Sequence, residues 1–380
     1  MATEEEKQAI IVTFHRKDRR RDQSSDKVEL ARRMVKDAGG ILDVDLYDAP
    51  ILILNATTQE IERLRNDANI AAVEEDGLCK AEGDGPTGEV TPQAETVPPG
   101  VSQIGAPQAW DASRGKGIKV AILDTGIDAL HPDLASNVKG AVSFVPNETP
   151  PDVNGHGTHA AGIIAAAENG TGIIGVAPAA WLYNVKVLGS SGSGQLTWIM
   201  SGINWCISNK MDIISIQFGG PSMPAAVESI CNAAWANGLL VIATAGVGGP
   251  GMGTVAAPAK FKNVIAVSSV DSSDVITPFS SRGPEVELCA PGINVLSTKP
   301  GGGYQSWSGT AGACAHVVGA AAVAWGSHRF ATNVEIWNLL VGTARSLGNP
   351  GWDALYGYGR VQADHAALAR SPQPAAALKP

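Results

Sequence analysis

Two short blocks of the sequence carry residues suited to proton transfer. Asp124 lies in Val120-Ala121-Ile122-Leu123-Asp124-Thr125-Gly126, and His156 in Asn154-Gly155-His156-Gly157-Thr158-His159. A carboxylate that orients an imidazole, and an imidazole that takes a proton from a hydroxyl, are two parts of an acyl-transfer machine. In the chain order Asp, His, Ser the third part is a nucleophilic serine further downstream. The stretch that offers this slot, Gly309-Thr310-Ala311-Gly312-Ala313-Cys314, carries Ala311 instead. A methyl group cannot attack a carbonyl, so the covalent step has no agent. Ser308 and Thr310 precede the helix expected to begin here, and Cys314 lies about one turn inside it, so none is placed to substitute. Without a serine to serve, Asp124 and His156 also read as a buried structural pair in which the carboxylate holds a core histidine.

Such residues need a scaffold, and the apolar runs describe one. Residues 119–123, 212–216, 239–243 and 263–267 are apolar at almost every position and alternate with helical stretches. Strands of this kind are buried on both faces, which predicts an α/β fold with a parallel sheet flanked by helices. Ligands in such sheets bind beyond the carboxyl ends of the strands, and Asp124 sits at one of those ends. The first 80 residues read differently: a strand at 8–15, a helix at 26–38 stopped by Gly39-Gly40, and two short strands flanking Asp48-Ala49-Pro50. A second helix at 58–66 and a strand at 71–76 complete a β-α-β-β-α-β order, the ferredoxin-like plan of a small α+β domain. Residues 81–99, rich in Gly, Pro, Glu and Thr, read as an exposed linker. Residues 100–370 form the α/β domain, and 371–380 are expected to be a disordered tail.

Composition narrows the function classes. The 380 residues carry 28 basic and 37 acidic side chains, a net charge of −9 that disfavours a nucleic-acid partner. The longest apolar run, 311–325, is interrupted by His316 and falls short of the roughly 18 residues a membrane span requires. Met1-Ala2-Thr3-Glu4-Glu5-Glu6 is acidic where an export signal is basic and then apolar. The expected location is therefore the cytoplasm, or outside the cell if a signal was removed, and the expected state is a monomer. The five cysteines are scattered without a CxxC pair, which argues against disulfides and zinc and for buried thiols.

At this point the sequence resembles the subtilisin-like serine proteases over nearly its whole length. The matching blocks are Gly100-Val101-Ser102-Gln103-Ile104, the Asp124 strand through His131-Pro132-Asp133-Leu134, the His156 block, Lys186-Val187-Leu188-Gly189, and Gly192-Ser193-Gly194-Gln195. Phe279-Ser280-Ser281-Arg282-Gly283-Pro284 and Ala290-Pro291-Gly292 follow. The N-terminal region similarly looks like the family's propeptide, whose last strand is matched by Val73-Glu74-Glu75-Asp76. The resemblance makes Ala311 the nucleophile position. It also exposes two more departures: the oxyanion-hole asparagine is replaced by Val247, and a Ser-Leu-Gly-Gly block reads Gln217-Phe218-Gly219-Gly220. Loss of that asparagine costs about 10²–10³ in rate, a magnitude measured in subtilisin itself.

The resemblance implies further sites. An extended peptide would add a strand between Gly192-Ser193-Gly194 and Phe218-Gly219-Gly220, with Ala245 and Gly246 lining the pocket for the residue before the scissile bond. A Ca²⁺ site would use Asp133, Asn169, Glu95 and the carbonyls of Ala167, Thr171 and Ile173. Glu95 sets the implied mature start near Gln93-Ala94, and with no nucleophile residues 1–93 should stay attached. The partners implied are a peptide or protein and the chain's own propeptide. Three changes at one site suggest a naturally silent homologue. The rival reading is a working endopeptidase whose serine was replaced for study, which would need only the change at Ala311.

Overall fold

The computed structural model describes residues 7–14, 51–68, 70–83, 86–90, 92 and 94–369. It begins with β1 (Gln8–Phe14), β2 (Ile51–Ala56), α1 (Thr58–Arg65) and β3 (Ile70–Glu75), the strands forming an antiparallel sheet in the order β2-β1-β3. Alternation decides its two faces. Ile10, Val12 and Phe14 pack with Leu54, Ile61 and Leu64 in a small core of their own, while Ile11 and Ile51 join the core of the larger domain. Helix α1 starts at a reciprocal cap between Thr57 and Glu60. These elements match the expected strand, helix and strand to within a residue or two. The expected helix at 26–38 and the strand before Asp48 lie outside the described residues, as does the tail from 370 onward.

Next come β4 (Leu78–Ala81), β5 (Pro86–Val90), α2 (Pro99–Gln103) and α3 (Ala106–Ala109). Here the structure departs from the exposed linker expected at 81–99. Strand β5 pairs with β16 (Gly303–Trp307), which also pairs with β15 (Val295–Lys299), and Thr96 bridges to Ile173. Composition misled because these pairings are made by main-chain groups, which place no demand on side-chain pattern.

The large domain alternates β6 (Lys119–Asp124), β7 (Val138–Ser143), α4 (His156–Ala165), β8 (Trp181–Lys186), β9 (Ser193–Gln195), α5 (Leu196–Ser208), β10 (Ile213–Ile216), β11 (Phe218–Gly219), α6 (Ala225–Ala236), β12 (Leu240–Thr244), β13 (Ile265–Val270) and β14 (Val286–Pro291). After β16 it closes with α7 (Thr310–Ser327), α8 (Asn333–Gly342) and α9 (Ala363–Leu368). Seven strands form one sheet in the order β14-β13-β12-β10-β6-β8-β7, every pair parallel. The α/β expectation is met, and the reason is visible along β6. Val120 and Ile122 face a core shared with α4 and α7, whereas Ala121 and Leu123 face one shared with α5 and α6. Truncating such a residue costs about 2–5 kcal/mol, so this strand holds both layers at once and fixes the position of Asp124 at its end.

Helix α7 is buried around nearly its whole circumference, which explains its apolar run without a membrane. Among the described residues no helix is long and apolar enough to span one. All five cysteines are free and buried.

Candidate active site

Asp124 ends β6 and His156 begins α4, and the approach of the two elements depends on glycine. Gly155 takes a positive φ of 104° just before the helix, and a Cβ on Gly157 would overlap the Gly126 carbonyl oxygen. The result is a close pair: His156 Nδ1 lies 2.8 Å from Asp124 Oδ1 and 2.9 Å from Oδ2, and both residues are buried. Asp124 Oδ1 also accepts the Thr125 N–H at 2.7 Å. The other ring nitrogen, Nε2, lies 3.1 Å from the carbonyl oxygen of Glu82. An oxygen acceptor at each end of the ring is satisfied by an imidazolium that donates from both nitrogens. Burial disfavours that form, but the Asp124 carboxylate outweighs it and holds the His156 pKa above its ordinary value. His159, one turn along, has no carboxylate partner; burial pushes its pKa down to about 3, and it stacks neutral on Trp307.

Two groups that sequence reasoning missed hold this pair in place. The Asp152 carboxylate accepts bonds from Thr125 Oγ1 and from the backbone N–H groups of Asn154, Gly155 and Thr158, so it ties the end of β6 to the start of α4. Lys186 is fully buried; its Nζ donates to the Thr125 carbonyl at 2.6 Å and pairs with Glu148 at 3.1 Å. An aspartate a few residues before a helix is a readable cap signal; the lysine gave none.

Ala311 lies in the first turn of α7, and its methyl lines a small space with Glu82, His156, Gln217 and Trp307. The neighbouring nucleophiles are otherwise engaged. Ser308 Oγ accepts the Asn294 N–H, Thr310 Oγ1 lies 2.6 Å from Thr244 Oγ1, and Cys314 is buried against the Ile216 carbonyl. Burial keeps the Cys314 thiol well above its ordinary pKa and therefore protonated. Gln217 is buried, donates to Ser215 Oγ at 3.2 Å, and turns its side chain into the same space. Val247, the position that the resemblance makes the oxyanion donor, follows β12, is 43% exposed and has no side-chain donor.

The edges expected to hold a peptide hold the chain itself. Strand β4 lies between β9 and β11 in an antiparallel three-stranded sheet, with Cys79 opposite Gly194, Lys80 opposite Ser193 and Gly219, and Ala81 opposite Phe218. The Ala81 N–H donates to the Gly192 carbonyl at 2.8 Å. Gly220 takes no part: it exchanges hydrogen bonds with Ala257 instead, because β11 has already turned away. Ala245 is buried, its N–H bonded to the Val267 carbonyl, and Gly246 borders the Glu82 side chain. Upstream, Glu74 and Asp76 accept bonds from the first N–H groups of α6 and α5, which docks the N-terminal sheet.

Glu82 is the residue that sequence reasoning did not find. Its carboxyl Oε2 lies 3.4 Å from both Thr244 Oγ1 and Thr310 Oγ1, and its carbonyl faces His156. Gly83 lies against Gly309, so the peptide bond beside His156 and Ala311 is Glu82–Gly83, about ten residues before the expected junction near Gln93-Ala94. The resemblance had placed that junction from Glu95 alone, and the extra residues run on into β5.

The expected calcium residues also converge, though in a different arrangement. Asp133 Oδ2 accepts from the Ile173 N–H and the Tyr304 hydroxyl, and its Oδ1 faces the Asn169 amide nitrogen at 3.1 Å. Glu95 accepts from the N–H groups of Asn169 and Gly170, and Asn169 Oδ1 from the N–H and hydroxyl of Thr171. The loop from Ala167 to Ile173 thus surrounds Asp133, but donors rather than oxygens point at its carboxylate. So bonded, the set does not fit a divalent cation. Among the described residues no group of three or more His, Cys, Asp or Glu is placed to hold a metal.

Comparison with known proteins agrees with this geometry. The Subtilase family model matches residues 115–359. Subtilisin E of Bacillus subtilis (strain 168) is 44% identical over 312 residues, covering 81% of this chain and 78% of the relative. Subtilisin of Bacillus pumilus is 45% identical over 279 residues, 72% of this chain and 100% of the relative, and an alkaline protease of Shouchella clausii is 42% identical over 319 residues, 83% and 79%. With Asp124 at the carboxyl end of a strand of the parallel sheet, His156 at the start of a helix packed against it, and these matches across most of its length, the chain belongs to the subtilase family.

Proposed function

We propose that this chain is a catalytically silent subtilase homologue that binds extended peptide, and that in the intact protein the bound peptide is its own segment 78–82. The observation that carries the reading is the contact between His156 Nε2 and the Glu82 carbonyl oxygen beside the Ala311 methyl. An active enzyme needs a hydroxyl to deliver its proton to that nitrogen. Here the nitrogen donates to the peptide carbonyl instead. Among the described residues, the neighbouring groups have other partners: Ser308 Oγ accepts the Asn294 N–H, Thr310 Oγ1 contacts Thr244 Oγ1, and the Cys314 thiol is buried against the Ile216 carbonyl. The positions expected to be catalytic thus act as a clasp: Asp124 orients His156, and His156 holds the Glu82 carbonyl. Gly192, Ser193, Gly194, Phe218 and Gly219 grip the strand by its main chain.

In this reading the N-terminal region is a resident propeptide-like partner, and the folded chain is monomeric. The purified protein should keep its full mass of 39.2 kDa, and casein should survive incubation with it. Casein hydrolysis that the His156→Ala variant abolishes would overturn the reading and favour an unidentified nucleophile. A calcium ion, as the resemblance implies, would draw on Asp133 and Glu95 together with Asn169 of the loop 167–173. Uptake requires the Asn169 amide to exchange its ends, so that oxygen instead of nitrogen faces Asp133.

A further inference from the structure

We infer that the pocket bordered by Gly219 and Gly246 is specific for a glutamic acid side chain in its uncharged form, with the Thr244 and Thr310 hydroxyls as the residues that select it. The inference rests on the cleft being occupied by segment 78–82 and names the ligand class that the cleft accepts: a peptide with Glu at the position of Glu82.

The geometry supports an acid and restricts its charge. Glu82 Oε2 is 3.4 Å from each threonine hydroxyl, and the hydroxyls are 2.6 Å from each other. Three oxygens so placed share protons best when the carboxyl brings one of its own. A Cβ on Gly219 would come 3.1 Å from Oε1, and one on Gly246 3.5 Å, so the carboxyl is walled in by main chain. The titratable groups that face it are His156 from α4, with Asp124 behind it, Cys314 from α7, and Cys79 from its own strand. Both thiols are neutral: burial pushes Cys79 up to about 12 and Cys314 higher still. His156 is the one facing cation, and its hydrogen bonds go to Asp124 and to the Glu82 carbonyl rather than to the carboxyl. Lys80 of the same strand is exposed. Burial accordingly raises the Glu82 pKa to about 7, against the lowering effect of Thr244 and His156.

The sign follows from linkage. A carboxyl with an ordinary value of 4.5 when released and about 7 when docked binds more protons in the docked state. Docking is therefore strongest below pH 4.5, weakens as pH rises to 7, and is constant above it. The full change is about 300-fold in the docking equilibrium.

Hydrogen exchange of the Ala81 amide in the full chain, corrected for intrinsic rate, reads this equilibrium directly. Amides of β12 in the same samples serve as the control for global stability. Between pH 4.5 and 7.5 the protection of Ala81 should fall about 100-fold more in the parent than in Glu82→Gln, which keeps the shape and cannot ionise. Thr244→Val should lower protection at acid pH, and Glu82→Leu should protect less than Glu82→Gln. Equal pH dependence in the parent and Glu82→Gln would overturn the inference, as would Glu82→Leu protecting as well as Glu82→Gln, since either makes the pocket merely apolar. An Ala81 amide unprotected in every variant would instead overturn the occupied cleft itself, and the inference with it.

Discussion

Asp152→Asn tests how the Asp124 and His156 pair is held. Asp152 is 6% exposed, and its two carboxylate oxygens accept five hydrogen bonds, three at Oδ1 and two at Oδ2. Asparagine keeps one oxygen. With that oxygen at the Oδ1 place, the amide nitrogen faces the Thr158 N–H, a donor against a buried donor. Thr158 is fully buried, so its N–H cannot turn to water. Losing that bond costs about 1–3 kcal/mol, the Thr158 hydroxyl can rotate to accept from the amide nitrogen, and the three bonds at Oδ1 drop from charge-assisted to neutral, at about 1 kcal/mol each. Allowing for non-additivity, the expected loss is about 4 kcal/mol, against the roughly 0.5–2 kcal/mol of an ordinary helix cap. At about 2.1 cal/mol/K per residue over 380 residues, this lowers Tm by about 5 °C. Equilibrium urea unfolding followed by tryptophan fluorescence and circular dichroism measures the loss, provided the two probes coincide. A loss below about 1 kcal/mol would show that Asp152 is an ordinary cap and that the end of β6 is held by other means.

Two other predictions concern chemistry and metal. Restoring the hydroxyl alone, Ala311→Ser, should give a site that reacts with a fluorophosphonate about 10²–10³ more slowly than Ala311→Ser with Val247→Asn, the factor known from loss of the same donor in subtilisin. Equal rates would show that Val247 costs nothing, which is what a chain silenced only at position 311 predicts. Melting curves with and without a chelator address the Asp133 loop: a fall in Tm on chelation supports Ca²⁺ uptake, and superimposable curves show that the internal bonds of Asp133 and Asn169 suffice.

The sequence is most legible where burial on both faces left continuous apolar runs. Strands β6, β10 and β12 are found within two residues of their observed bounds and β13 within three, because a parallel sheet covered by helices leaves a continuous apolar run. The proximity of Asp124 and His156 follows from their blocks. The occupied cleft was hidden for a physical reason. Strand β4 is made by main-chain bonds to β9 and β11, which lie more than 110 residues away, and its own residues show no periodicity. Glu82 reads as one more acidic residue in a Gly- and Pro-rich stretch, and only the folded pocket gives it a carboxyl environment. Asn169 matches a ligand by type, and its amide nitrogen faces Asp133 at 3.1 Å.

The tether between β4 and the rest of the molecule sets what any outside ligand meets. In the function proposed here, a free peptide entering between Gly194 and Gly219 must first displace a competitor that is covalently linked and present at an effective concentration of the order of millimolar. If the cleft is open in about one molecule in a thousand, a peptide with intrinsic micromolar affinity binds the intact chain at about millimolar strength. Titrations on the whole protein therefore report mainly the eviction of residues 78–82, and a relaxed tether would raise apparent affinity without a single new contact.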